Sequence, residues 1–221
     1  MSRRPTRQNF IQRGRPNRVS RRLLVVCGSE GNEARYIRGL SDYLKNTAVQ
    51  ISVKEKGCAP LDVLEYGLSQ AELAAEPYDE LWCVVDVDEF INCGDNLGRA
   101  VRRAEQESRA EFAVTMVVTN PCFELWLVLH FAEQHAHLAN YAQVKTLLHK
   151  HRPGYRKDRL NFVRDGYADR YPEAVARARQ LDSSGTDYAI NPSTNLWRLV
   201  EALGHRNGAA APPDRSGQGR R

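Results

Sequence analysis

The sequence predicts an α/β fold: a mostly parallel, four-stranded sheet flanked by helices, with further helices added at the C-terminal end. Three observations predict it. Short continuous apolar runs, LLVVC at 23–27 and LWCVV at 81–85, read as strands buried on both faces. Stretches with helical spacing separate these runs. The two patterns alternate between residues 23 and 131, and strand–helix–strand alternation favours parallel pairing because each helix returns the chain to the same edge.

Each element has its own warrant. After the first strand, apolar or aromatic residues at 36, 37, 40, 43 and 44 give helical spacing over 33–44. Val49, Ile51 and Val53 alternate, as on a strand. A helix is expected over 61–75, a strand at 81–85, a helix over 96–107 and a fourth strand over 112–118. Asn120-Pro121 reads as a helix N-cap followed by proline at the first helical position. Beyond residue 133 only helical patterns follow, at about 141–150, 157–164, 172–182 and 194–203, and they are expected to cover one side of the sheet.

The charge is unevenly placed. Residues 1–22 carry eight arginines and no acid, and residues 205–221 carry four arginines and one aspartate. A chain of net charge +5 therefore has an acidic body, with −6 over residues 23–204. The expected organisation is a disordered basic tail at 1–21, one folded body at 22–204 and a second disordered tail at 205–221. Basic tails suit a polyanion such as nucleic acid, or simply solubilise the chain. No run of eighteen apolar residues is present, which argues against a membrane span, and no apolar signal core opens the chain. Cys27, Cys58, Cys83, Cys93 and Cys122 form no CxxC pair. They read as reduced, mostly buried thiols of a cytoplasmic protein. His149 and His151 have no partner pattern that would suggest zinc.

In a parallel α/β sheet, ligands bind at the carboxyl ends of the strands. Three acidic features fall there. Glu30 sits in the glycine turn GSEG after the first strand. Asp86 and Asp88 end the third strand, in LWCVVDVDEF, and Glu124 opens the helix after the fourth, in NPCFELWLVLHF. Residues two apart on a strand share a face, so Asp86 and Asp88 can converge. Two such carboxylates repel unless a cation lies between them, and hard oxygen donors that leave room for water and phosphate suit Mg²⁺. Capping the next helix is the plainer role for this pair. Glu124 is a lone carboxylate on an apolar face; dry and unpaired it would cost several kcal/mol, roughly. It must therefore find a partner. Free N–H groups of the first helical turn are one, and the metal site, reached directly or through a basic residue, is the other.

Other chemistries fit less well. A dinucleotide fold needs G-x-G-x-x-G, whereas here the spacing fails and Glu30 would repel a pyrophosphate. No G-x-x-x-x-G-K-[ST] or G-x-S-x-G motif occurs. An aspartyl phosphatase would carry its DxD after the first strand, and a metal-dependent sugar transferase leaves Glu30 unexplained.

These residues resemble the Toprim domain and, within it, the RloB family. The motifs are Glu30-Gly31 with Glu33 and Tyr36-Ile37, then Asp86-Val87-Asp88, then the NPCFELWLVLHF stretch from Asn120 to Phe131, then Asn191-Pro192-Ser193-Thr194-Asn195. The likeness spans about residues 22–203. It implies a Toprim-like sheet, Mg²⁺ (or Mn²⁺) held by a Glu after the first strand and a DxD after the third, and action on phosphodiesters. It also implies a place in bacterial anti-phage or abortive-infection loci, often beside an AAA/ABC-type ATPase.

The expectation is a metal-dependent nuclease acting on DNA or RNA. Asp86 and Asp88 would hold the metal, and Glu30 would complete the shell or act as general base toward water. Glu33 and Glu124 are further candidate ligands, although Glu33 also suits the positive end of its helix. Arg35, Arg38 and Lys56 are candidate phosphate contacts. His130 is read as a packed core histidine more readily than as an acid. A non-catalytic partner or sensor, docking an ATPase or binding nucleic acid, is the alternative. A homo-oligomer is compatible with either, and no membrane association is expected.

Overall fold

The computed structural model describes residues 20–29, 31–87 and 95–204. Glu30, Asp88, Cys93 and nearly all of both tails lie outside the described residues. The sheet contains β1 (Arg21–Cys27), β2 (Val49–Glu55), β3 (Glu80–Asp86), β4 (Ala113–Asn120) and the two-residue β5 (Ser193–Thr194). Their order is β2-β1-β3-β4-β5. The first four are parallel and β5 is antiparallel to β4. The α/β class and the parallel core are as the alternation predicts. The fifth strand is an addition, too short to leave a periodic signal.

Helices α1 (Asn32–Leu44), α2 (Pro60–Glu72) and α3 (Asn96–Glu107) link the parallel strands. They are followed by α4 (Glu124–Leu129), α5 (Tyr141–His151), α6 (Tyr171–Leu181) and α7 (Leu196–Gly204). Side chains of β1 alternate between two apolar layers. Leu23, Val25 and Cys27 join α1 and the C-terminal helices, while Leu24 and Val26 join α2 and α3. The C-terminal helices thus cover one side of the sheet. All five of these β1 side chains are fully buried. Each Leu or Val so buried stabilises the fold by about 1.5–3 kcal/mol, which explains the continuous apolar runs.

Two local expectations are corrected. Asn120 does not cap a helix. Its backbone pairs with Ser193, so β4 runs through it, and α4 begins only at Glu124. The Asn120 amide donates to the Tyr188 carbonyl, and its Oδ1 accepts from Asn191. Nor is 157–164 a helix; only Lys157–Arg159 form a single 3-10 turn. Side chains capture the backbone beyond it. Asn161 Oδ1 accepts from the Arg164 N–H, and Asp165 Oδ2 from the Asn161 N–H, each at 2.8 Å. Such bonds compete with the helical ladder.

The NPSTN stretch serves the sheet. Asn195 Oδ1 accepts from the Val118 N–H at 2.7 Å, and its amide donates to the Met116 and Gly185 carbonyls. Among the described residues, no helix is long and apolar enough to cross a membrane. Cys27, Cys83 and Cys122 are buried and Cys58 is half-buried, and none of the four is in a disulfide. Burial pushes the Cys27 and Cys83 thiols well up, which makes them inert.

Candidate functional site

The strand order decides where a site can lie. The chain steps from β1 outward to β2, then crosses back to β3 on the other side of β1. Helix α1 leaves β1 on one face, and α3 leaves β3 on the opposite face. This opens a crevice at the carboxyl ends of β1 and β3, the topological switch point of the sheet.

The glycine turn is pinned into that crevice. The Gly28 N–H donates to the Val84 carbonyl at 2.7 Å. A Cβ at Gly28 would sit 3.1 Å from that same oxygen and 3.3 Å from a Val85 methyl, so any larger residue would push the turn or β3 by a few tenths of an ångström. Gly31 has φ of 116°, open to glycine, and its N–H donates to Glu55 Oε2 at 2.9 Å. Gly28 is therefore tied to β3 and Gly31 to β2.

Glu33 and Glu124 lie near each other here, and Glu124 and Asp86 both lie near Lys157. Glu33, in the first turn of α1, is 1% exposed and accepts from the Ser29 N–H at 3.2 Å. Burial raises its pKa to about 7; the Ser29 hydrogen bonds pull down, the Glu124 carboxylate pushes up and Lys157 pulls down. Asp86 is the half-buried last residue of β3, in register with Thr119 of β4.

Glu124 is likewise 1% exposed. Asn32 Nδ2 donates to its Oε1 at 3.1 Å, the Tyr155 hydroxyl at 2.8 Å, and Lys157 Nζ lies 3.6 Å from the same oxygen. None of the three uses Oε2. The Asn32 amide also lies within hydrogen-bond reach of the Tyr155 hydroxyl. Burial and the Glu124 charge drive the Tyr155 hydroxyl far above the usual phenol range, so it stays a donor. Burial works against the Lys157 charge, but Glu124, Tyr141, Asp86 and Cys122 together hold its pKa above the usual lysine value. Lys157 is thus a cation beside two of the carboxylates.

The donor set suits a hard divalent cation in kind: carboxylate oxygens at strand ends, with Asn32 Oδ1 buried and without a hydrogen-bond partner among the described residues. Still, no group of three or more His, Cys, Asp or Glu side chains among the described residues is assembled closely enough to hold a metal. Glu30 and Asp88, two of the five expected ligands, lie outside those residues.

The predicted phosphate contacts separate. Arg35 reaches the crevice rim, where its guanidinium donates to the Lys157 carbonyl at 3.2 Å. Arg38 is turned to β2, bonded to Glu55 and to the Val53 carbonyl, each at 3.0 Å. Lys56 Nζ lies over the Tyr66 ring, 5.6 Å from its centroid. His130 is a core residue, as read. Its Nδ1–H donates to the Trp126 carbonyl at 2.9 Å and its Nε2 accepts from the Tyr36 hydroxyl at 3.0 Å. Burial lowers its pKa to about 3, so it is neutral.

A family model described as RloB-like protein matches residues 23–203. The chain belongs to the RloB-like family. Comparison with curated proteins and with solved structures gave no match. In this RloB-like chain the match runs from β1 to α7 and includes Asn32, Tyr155 and Lys157, which sequence reasoning missed. The need for a partner to Glu124 was legible from its apolar surroundings. The partner's identity was not, because Tyr155 and Lys157 lie in GYRKDR, 31 to 33 positions away, at the start of a stretch read as an ordinary helix.

Proposed function

We propose that the chain is a Mg²⁺- or Mn²⁺-dependent nuclease with a Toprim-like site, acting on DNA or RNA within a bacterial anti-phage system. The observation that supports this reading is that buried Glu33 and Glu124 lie beside each other at the switch point, while Glu124 and Asp86 both act on the Lys157 ammonium. Carboxylates gathered out of water are stabilised by a cation. Asp86 and Asp88 would hold the metal, with Glu33 and Glu124 Oε2 as further donors. When bound, it would polarise the phosphate and lower the pKa of a water. Glu30 takes the proton from the attacking water as the new P–O bond forms and the bond to the leaving oxygen breaks. Lys157 meets the charge on the non-bridging oxygens. Tyr155 and Asn32 fix the Glu124 carboxylate and so position Lys157. The defence setting and an adjacent ATPase rest on the sequence resemblance alone.

The test is incubation of the purified full chain with DNA and RNA panels, with Mg²⁺, Mn²⁺ or EDTA. The Asp86→Asn/Asp88→Asn variant should lose cleavage by at least about 100-fold. Equal cleavage by the variant contradicts the reading.

A second reading, a non-catalytic partner or sensor, is favoured by the position of Lys157. Its ammonium compensates Glu124 and Asp86 from within the chain, so the fold can stand without metal. That reading predicts no metal-dependent cleavage by either protein.

A further inference from the structure

A groove of about 560 Å³ opens beside the carboxylates, between α5 and residues 153–158. Lys145, Arg156 and Lys157 line it, against one carboxylate, Asp158. Lys145 and Arg156 are exposed. Arg156 grips Asp158 through two bonds of 3.1 Å, but both side chains are open to water, so this guanidinium can turn to another anion.

The half-buried Tyr141 ring lies among these cations, with Lys157 Nζ 4.2 Å and Lys145 Nζ 6.0 Å from its centroid. The longer contact is at the limit of a cation–π interaction, so a flat group can displace that ammonium from the ring. His149 Nε2, in the groove wall, is buried and has no hydrogen-bond partner among the described residues. The groove also shares a wall with the carboxylate site. Tyr155 and Lys157 line it, and both contact Glu124 Oε1, at 2.8 and 3.6 Å.

We propose that this groove carries a single-stranded nucleic acid to the carboxylates. Tyr141 stacks an unpaired base, and Lys145 and Arg156 take the flanking phosphates. Lys157 receives the phosphodiester that follows. Duplex bases are already stacked on one another, so only an unpaired base can use the tyrosine. The inference rests on the phosphodiester reading above and names its substrate class.

Binding by the full chain is read by fluorescence anisotropy in EDTA, so that neither metal nor cleavage enters. The probes are labelled oligo(dT) and oligo(U) of about a dozen nucleotides, within the span of common single-strand sites, and a duplex of equal length. Lys145→Glu/Arg156→Glu should weaken single-strand binding by at least about 10-fold and flatten the slope of log Kd against log salt by about 1.4, two phosphates at about 0.7 each. Tyr141→Ala should weaken single-strand binding by about 10-fold and leave duplex binding unchanged. Circular dichroism melts check that each variant folds. Tighter binding of either oligonucleotide than of the duplex supports the groove. The inference is overturned by wild-type affinity and salt slope in the charge-reversal variant, by duplex binding that falls equally in Tyr141→Ala, or by no single-strand binding at all. Failure of the nuclease reading shows separately, as groove-dependent binding without metal-dependent cleavage.

Discussion

At the scale of the residue, the informative groups are the buried carboxylates. Glu33 could be read from sequence only as a first-turn acid with two equal roles. The structure buries it beside Glu124, and burial raises its pKa from 4.5 to about 7. The folded state therefore binds a proton more tightly than the unfolded chain. Its stabilising contribution is fully present below pH 4.5 and is lost as pH rises through about 7. In EDTA, Glu33→Gln should melt close to wild type at pH 4.5, where both side chains are neutral. At pH 8 it should be more stable by about 3 kcal/mol, since the shift spans about two and a half units at about 1.4 kcal/mol each. A variant less stable than wild type at pH 8 would show that Glu33 is held by contacts its charge requires. The roles proposed for Glu30 and Asp88, which lie outside the described residues, rest on the sequence resemblance.

At the scale of the element, long periodic stretches and short buried strands were legible because burial writes them into the sequence. The segment 157–164 was not, because Asn161 and Asp165 bind local backbone in place of a helical ladder. Asn120-Pro121 carried a sound helix-start signal, yet pairing with Ser193 overrode it. That pairing belongs to a clamp centred on Asn195, which holds β4 at Val118 and Met116 and the loop at Gly185. Its side chain is 3% exposed, so water cannot replace those bonds. Asn195→Ala should cost about 2–4 kcal/mol in urea unfolding, from several buried groups left unpaired. A loss under about 0.5 kcal/mol, the range of ordinary surface changes, would mean that the clamp is incidental.

At the scale of the molecule, the sheet order accounts for the site. Because β3 returns to the side of β1 opposite β2, the carboxyl ends of β1 and β3 are neighbours, and α1 and α4 bring Glu33 and Glu124 near each other. The sequence placed acids at three strand ends, and parallel topology implied that those ends are neighbours. It could not show that the 153–158 segment supplies Lys157, since that contact is made across more than thirty residues by a stretch whose regular structure is the short 3-10 turn Lys157–Arg159. The same segment forms the basic groove, so an acidic body presents cations where a phosphate would approach.

The most direct test of the central claim, that these carboxylates form a divalent-cation site, is calorimetric titration of Mg²⁺ into the full chain and into Asp86→Asn/Asp88→Asn. Saturable binding by the wild type that disappears in the variant is the predicted result; identical isotherms for the two proteins would contradict it.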